Sequence, residues 1–171
     1  MGTKAYTIAD LHLKHPGIIG IRNQFAAADD HDAFVLDRIN SVVNKNDSLY
    51  ILGDCVVGQG AGALIEQLHC KRVFLIPGNH DGERSAIPFD VFSRVMGSYA
   101  RKLPGTDLGA VFTHIPVHPC CLDRWQLNVH GHLHDLSVDD PRYFSVSAER
   151  LDYTPISMAE LGQRFIAQLG G

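Results

Sequence analysis

Ser48-Leu-Tyr-Ile-Leu-Gly-Asp54 is a β-type apolar run that stops at a glycine and a carboxylate. The same pattern stands on either side of it. Lys4 to Ala9 stops at Asp10, and Arg72 to Ile76 stops at Pro77-Gly-Asn79. Helical spacing fills the connections. Asp32 stands where it can cap a helix carrying Val35, Ile39 and Val42 on one face with Leu36 and Val43 beside them, and Ala61, Leu64, Ile65 and Leu68 repeat that spacing in the next connection. Strand alternating with helix implies right-handed crossovers and a parallel sheet, which delivers its strand ends to one edge.

Past residue 100 the rhythm changes, with strand-like stretches at Ala110 to Thr113, Gln126 to Val129 and Tyr143 to Ala148 and little helix between them. A second, mixed sheet accounts for this. Ser157-Met-Ala-Glu160 has capping-box spacing and opens a final helix predicted to turn Leu161, Phe165 and Leu169 inward. No repeat, low-complexity tract or linker interrupts the chain, and its longest irregular stretch, His15 to Asp30, is a candidate for substrate contact.

With 171 residues, 45% of them hydrophobic, the chain is long enough to bury a core as one domain, 1–171. A formal charge of −4 gives no overall basic footprint, so there is no strong signal for nucleic-acid binding. No apolar run is long enough to span a bilayer and the N-terminus enters a strand without an apolar leader; no membrane association and a cytoplasmic location are expected. Cys55, Cys70, Cys120 and Cys121 form no Cys-x-x-Cys pair and read as reduced thiols, Cys55 as a small buried residue.

The strand ends carry chemistry. Asp10 and His12 are two apart, so extended backbone sends both side chains to one face, where they can grip one cation. Asp54 can bridge two cations held about 3.5–4 Å apart with its two oxygens, a role that needs a carboxylate. Asn79 offers a neutral carbonyl oxygen, with Gly78 allowing a sharp turn before it. In His130-Gly-His-Leu-His134, His132 and His134 share a face and each can reach a different cation, while His130 precedes the glycine and is left out. His114 completes the set. Without a thiolate these donors suit Mn²⁺, Fe or Zn²⁺ at a site with open positions better than a structural zinc site. Two dications would acidify a bridging water and neutralise charge gathering on phosphorus, which makes phosphoryl chemistry their natural use.

Blander readings suit other polar residues. His31, His69 and His118 read as hydrogen-bonded structural imidazoles, and Asp29, Asp30 and Asp32 as acids complementing a helix dipole. Arg22, Arg84 and Arg124 could each clamp a phosphate. Arg22 has the best claim, in the loop after the first metal motif; with His15, which borders that motif, it makes the candidate substrate-binding pair.

Taken in order, Asp10-x-His12, Gly53-Asp54, Gly78-Asn79-His80-Asp81, Thr113-His114 and Gly131-His132-x-His134 resemble the calcineurin-like metallophosphoesterase superfamily over residues 10 to 134. The resemblance implies an α/β fold, a four-layer α-β-β-α sandwich of two mixed sheets flanked by helices. It implies two divalent metal ions, Mn²⁺ first, with Fe, Zn²⁺, Ni²⁺ or Co²⁺ as alternatives. Asp10, His12 and His134 would hold one, Asn79, His114 and His132 the other, with Asp54 bridging. His80 would be the non-ligand acid that assists the leaving oxygen, and Asp81 would steady its loop from behind. The implied activity is hydrolysis of phosphodiesters, ahead of phosphomonoesters, through a hydroxide bridging the metals. A small phosphoester, a nucleotide among the candidates, would be its substrate; oligomeric state is not indicated.

His12-Leu-Lys-His15, Arg22-x-x-Phe25 and Tyr153-Thr-Pro-Ile-Ser157 further resemble small bacterial and phage members. The protein Ser/Thr phosphatase branch instead carries Gly-Asp-x-Val-Asp-Arg-Gly and Gly-Asn-His-Glu. Here the first motif reads Gly53-Asp-Cys-Val-Val-Gly58 and the second ends in Asp81, which speaks against phosphoprotein substrates. Two alternatives stand beside a small-molecule phosphoesterase: a nuclease acting on DNA or RNA ends, and a non-catalytic metal-binding interaction scaffold.

Overall fold

The computed structural model describes residues 2–58, 60, 62–83 and 89–170. Ala61 and Arg84 lie outside the described residues. Two mixed sheets are flanked by helices. In the first, β1 (Ala5–Ile8), β2 (Ser48–Ile51), β3 (Arg72–Leu75) and β4 (Arg94–Val95) run parallel, and β9 (Ile156–Ser157) adds antiparallel to β1. In the second, β5 (Tyr99–Lys102) is antiparallel to β6 (Gly109–Phe112), and β6, β7 (Leu127–His130) and β8 (Tyr143–Ser145) run parallel. The helices are α1 (Ala28–Val42), α2 (Gly62–Ile65), α3 (His80–Glu83) and α4 (Met158–Leu169). None is long and apolar enough to cross a membrane.

Alternation along β2 explains the layering. Leu49 and Ile51 enter a core with Val35, Leu36 and Ile39 of α1, whereas Tyr50 and Leu52 enter a second core with Phe112 and Val129 of the other sheet and Leu161 and Phe165 of α4. Both faces of the strand are therefore covered, which is why it reads as an unbroken apolar run. Fully burying a side chain such as Phe112 or Leu49 contributes roughly 1.5–3 kcal/mol.

Register sets the site. Ile8, Ile51 and Leu75 are level in the first sheet, and Phe112, Val129 and Phe144 in the second. Level strand ends bring the residues just beyond them, Asp10, Asp54 and Asn79 from one sheet and His114 and His132 from the other, to a common edge. The sheets are tied beneath it. Ala9 N donates to Val146 O at 2.8 Å, and Ala148 N donates to Ala9 O at 3.0 Å.

Several boundaries differ from expectation. α1 begins at Ala28 with Asp29 and Asp30 in its first turn, because Asp32 is buried and accepts from Lys14 N at 3.0 Å instead of capping the helix. Leu169, the last residue of α4, is 43% exposed instead of turned inward. The N-terminal cap of α4 is as predicted, Ser157 Oγ accepting from Glu160 N at 3.1 Å.

Candidate metal centre

Each strand end reaches the common edge through a turn. Asp10, His12, Asp54, His132 and His134 all have φ between 49° and 71°, the left-handed region in which Asp and His are among the better-tolerated side chains. Each costs on the order of 1–3 kcal/mol and persists only where surrounding contacts over-determine it. Those contacts are backbone hydrogen bonds between neighbouring turns: Asp10 N to Gly53 O, His12 N to Asp54 O and Gly131 N to His114 O, at 2.8–3.0 Å.

Three overlapping groups of side chains result: Asp10, His12 and His134; His12, Asp54 and His80; and Asp54, His114 and His132, with the donor atoms of each group lying within 4.8 Å of one another. Asp54 Oδ2 lies 3.8 Å from His12 Nε2 and 3.5 Å from His114 Nε2, between the outer groups. Asn79 Oδ1 is 3.0 Å from His114 Nε2. Close packing depends on glycine. Gly53 has φ 81°, and a side chain there would run into the His114 ring. Gly78 is needed for a different reason than a sharp turn: its φ is ordinary, and a Cβ would strike Asp54 and His114.

The donor set fits cations. Asp10 and Asp54 are buried carboxylates with histidines but no Lys or Arg as ion partner among the described residues. Burial pushes the Asp10 carboxyl up, which bound positive charge would reverse. His12 Nε2 is buried without a hydrogen-bond partner. Burial first, then the nearby Arg22 charge, pushes this imidazole down to about 2, so it is neutral, the form that binds metal. Its Nδ1 faces His15 Nδ1 at 3.3 Å, which leaves Nε2 for the centre. His114 donates from Nδ1 to Leu52 O at 2.8 Å, fixing the tautomer that presents Nε2. His80 donates its backbone N–H to Asp54 Oδ1 at 2.9 Å, and its ring packs 5.2 Å from that of His12 and 5.6 Å from that of His15.

Two surrounding residues differ in how they work. Asp81 accepts from Cys55 N, Val56 N and Gly78 N at 2.8–3.3 Å, joining the loop after β2 to the loop after β3. Arg22 requires correction as a substrate clamp. It is 1% exposed, and its guanidinium contacts Glu149 Oε1, His31 Nε2, Leu11 O and Asp10 O at 2.6–3.1 Å, which engages all three of its nitrogens. It is a strut beneath the Asp10 to His12 turn. His31 passes the connection to Asp32 at 3.0 Å, and so to the backbone of Lys14.

Glu149 is the residue that no motif signalled. Its Oε1 accepts from His134 Nδ1 at 2.9 Å and from Arg22. Burial pushes its carboxyl up, but the His134 hydrogen bond and the Arg22 guanidinium outweigh that and hold it down at about 2; the same hydrogen bond raises the His134 imidazole. A carboxylate behind a metal-facing histidine fixes its ring and tautomer. Other thiol and imidazole groups stay outside the centre. Cys55 is buried, and burial pushes its thiol well up, so it is no nucleophile; His130 donates from Nδ1 to Gly131 O and packs against Tyr143.

The fold and the sequence both have known relatives. A protein of unknown function from Aquifex aeolicus, AQ665, superposes with a TM-score of 0.74 at 20% identity, covering 95% of this chain and 99% of that one. The nuclease MPE of Pseudomonas putida aligns with 76% of this chain and 61% of its own, at 22% identity and a TM-score of 0.49. In sequence, the Gene 66 protein of Mycobacterium phage L5 is 38% identical over 82 residues, a stretch that takes in 43% of this chain and 38% of the phage protein's own length. The calcineurin-like phosphoesterase model matches residues 3–163, and with its two mixed sheets and clustered metal-ligand types the chain belongs to the calcineurin-like phosphoesterase family.

Proposed function

We propose that this chain is a hydrolase of small phosphoesters, phosphodiesters ahead of phosphomonoesters, working with two divalent cations of which Mn²⁺ is the first candidate. The observation that carries this reading is Asp54 Oδ2 set between His12 Nε2 and His114 Nε2, each heading its own group of donors. Asp10, His12 and His134 would hold one cation and Asn79, His114 and His132 the other, with Asp54 shared. When bound, the pair supplies an activated water and neutralises charge on the phosphoryl oxygens.

The protein's own groups do the rest. Glu149 and the Leu52 carbonyl hold His134 and His114 in the tautomers that turn Nε2 inward. His80 lies beside the centre, close enough to His12 and Asp54 to reach a leaving oxygen, and would deliver its proton to the departing alcohol. A groove of about 420 Å³ beside Asn79 and His114 is bounded by Pro77, Gly97, Thr113 and Ile115, and would take the organic part of the substrate.

That groove favours a small substrate over a polynucleotide. No Lys or Arg lines it among the described residues, whereas flanking phosphates of a nucleic acid are gripped by such side chains. The test incubates chain reconstituted with Mn²⁺, Fe, Zn²⁺, Co²⁺ or Ni²⁺ with aryl phosphodiesters, phosphomonoesters, cyclic nucleotides and oligonucleotides. Turnover of the small diesters is expected; no hydrolysis with any metal contradicts the reading, and oligonucleotides as the fastest substrate would replace it with a nuclease.

A further inference from the structure

A cleft of about 290 Å³, lined by none of the candidate metal ligands, lies between β8 and α4. Its charged lining has one sign. Arg150 and Arg164 reach it together with Ser137, Ser145, Gln168 and the buried ring of His130, and no carboxylate lines it among the described residues. Neither guanidinium is used up. Arg150 gives one N–H to Asp135 O at 3.2 Å, and Arg164 meets Glu160 through Nε and one terminal nitrogen at 2.7–3.2 Å. Gln168 is held by the Pro141 and Tyr143 carbonyls at 2.9–3.0 Å, which fixes the wall they share. Two planar forks, one of them with N–H groups to spare beyond its ion pair with Glu160, and hydroxyls lining one cleft are elements that recognise a tetrahedral oxyanion.

We infer that this cleft binds a phosphate group, either as inorganic phosphate or at the end of a small phosphorylated molecule. Its volume, near the lower end of ordinary ligand pockets, holds a phosphate with a small organic substituent. The cleft is also joined to the centre. Ser145 Oγ donates to Ser147 Oγ at 3.1 Å, and the buried Ser147 side chain acts on the Asp10 carboxylate, so two serine side chains stand between an occupant of the cleft and a candidate metal ligand. The site does not depend on the metal centre being catalytic.

Phosphate binding to the metal-free 171-residue chain tests this, read by calorimetry with inorganic phosphate and, separately, with glycerol 3-phosphate. Saturable binding at one site per chain is expected, weakened about tenfold or more by Arg150→Gln with Arg164→Gln and unchanged by Asp54→Asn. Both arginines are solvent-exposed, so the double variant should keep the parent's melting temperature, and that is measured alongside. Tighter binding of inorganic phosphate identifies the free ion as ligand, and tighter binding of the ester identifies a phosphorylated molecule. No saturable binding, equal binding by the double variant, or loss of binding in Asp54→Asn would overturn the proposal.

Discussion

The two halves of the candidate metal centre are braced in opposite ways. On the Asp10, His12 and His134 side the support is ionic and buried, running from Asp32 through His31 and Arg22 to Glu149 and His134. On the Asn79, His114 and His132 side it is mostly backbone: the Leu52 carbonyl fixes His114, and Gly53 and Gly78 allow the close approach. In the first half Asp10 and His12 are buried and His134 is half-buried, while the second borders the groove where Ile115 is 53% exposed. A charged brace holds geometry at the cost of leaving a buried charge behind when one member is lost, whereas a backbone brace has no side chain to lose. The halves should therefore differ in what single substitutions do to them.

Asp54→Ala strikes both halves, because its carboxylate lies between them; loss of both bound cations and of detectable turnover is expected, checked by metal analysis and assay. His80→Ala should keep both cations while lowering kcat by about 10²–10⁴, the range for a positioned acid, and an unchanged kcat would refute that role. Arg22→Met should lower unfolding stability by about 3–5 kcal/mol in denaturant titration, since it removes a buried guanidinium and leaves the largely buried Glu149 carboxylate with His134 as its remaining partner; an effect near zero would show that the brace is not structural. Glu149→Gln should weaken one of the two cations by about 10–100-fold and spare the other, visible as a split in a metal titration. Equal weakening of both would erase the contrast between the halves. Ile115→Ser, confined to the open groove, should raise KM about fivefold for bulky aryl diesters, the low end of the roughly 1–3 kcal/mol span for small changes in an apolar pocket, and leave metal binding alone.

The legibility of each half in the sequence follows from the same contrast. Asp10, Asp54, Asn79, His114, His132 and His134 follow apolar runs whose strands form and pair in level register, so local pattern is enough to bring them together. The ionic brace is not local. Arg22 looks like a surface arginine of an irregular loop until Glu149, 127 residues later, covers it, and no periodicity marks that pairing. Asp32 carries a plausible helix-cap signal but is taken by the backbone of Lys14, a tertiary contact that outweighs local preference. Strands of two residues, such as β4 and β9, are too short to show alternation and exist because a sheet edge offers them partners.

Metal stoichiometry tests the shared role of Asp54 most directly. The full chain is stripped, reconstituted with Mn²⁺, dialysed to equilibrium and analysed for bound metal, in parallel with Asp54→Ala. Two cations per chain in the parent and neither retained in the variant is the expected result. A single cation in the parent, or two that survive removal of the Asp54 carboxylate, would contradict a dinuclear centre built around it.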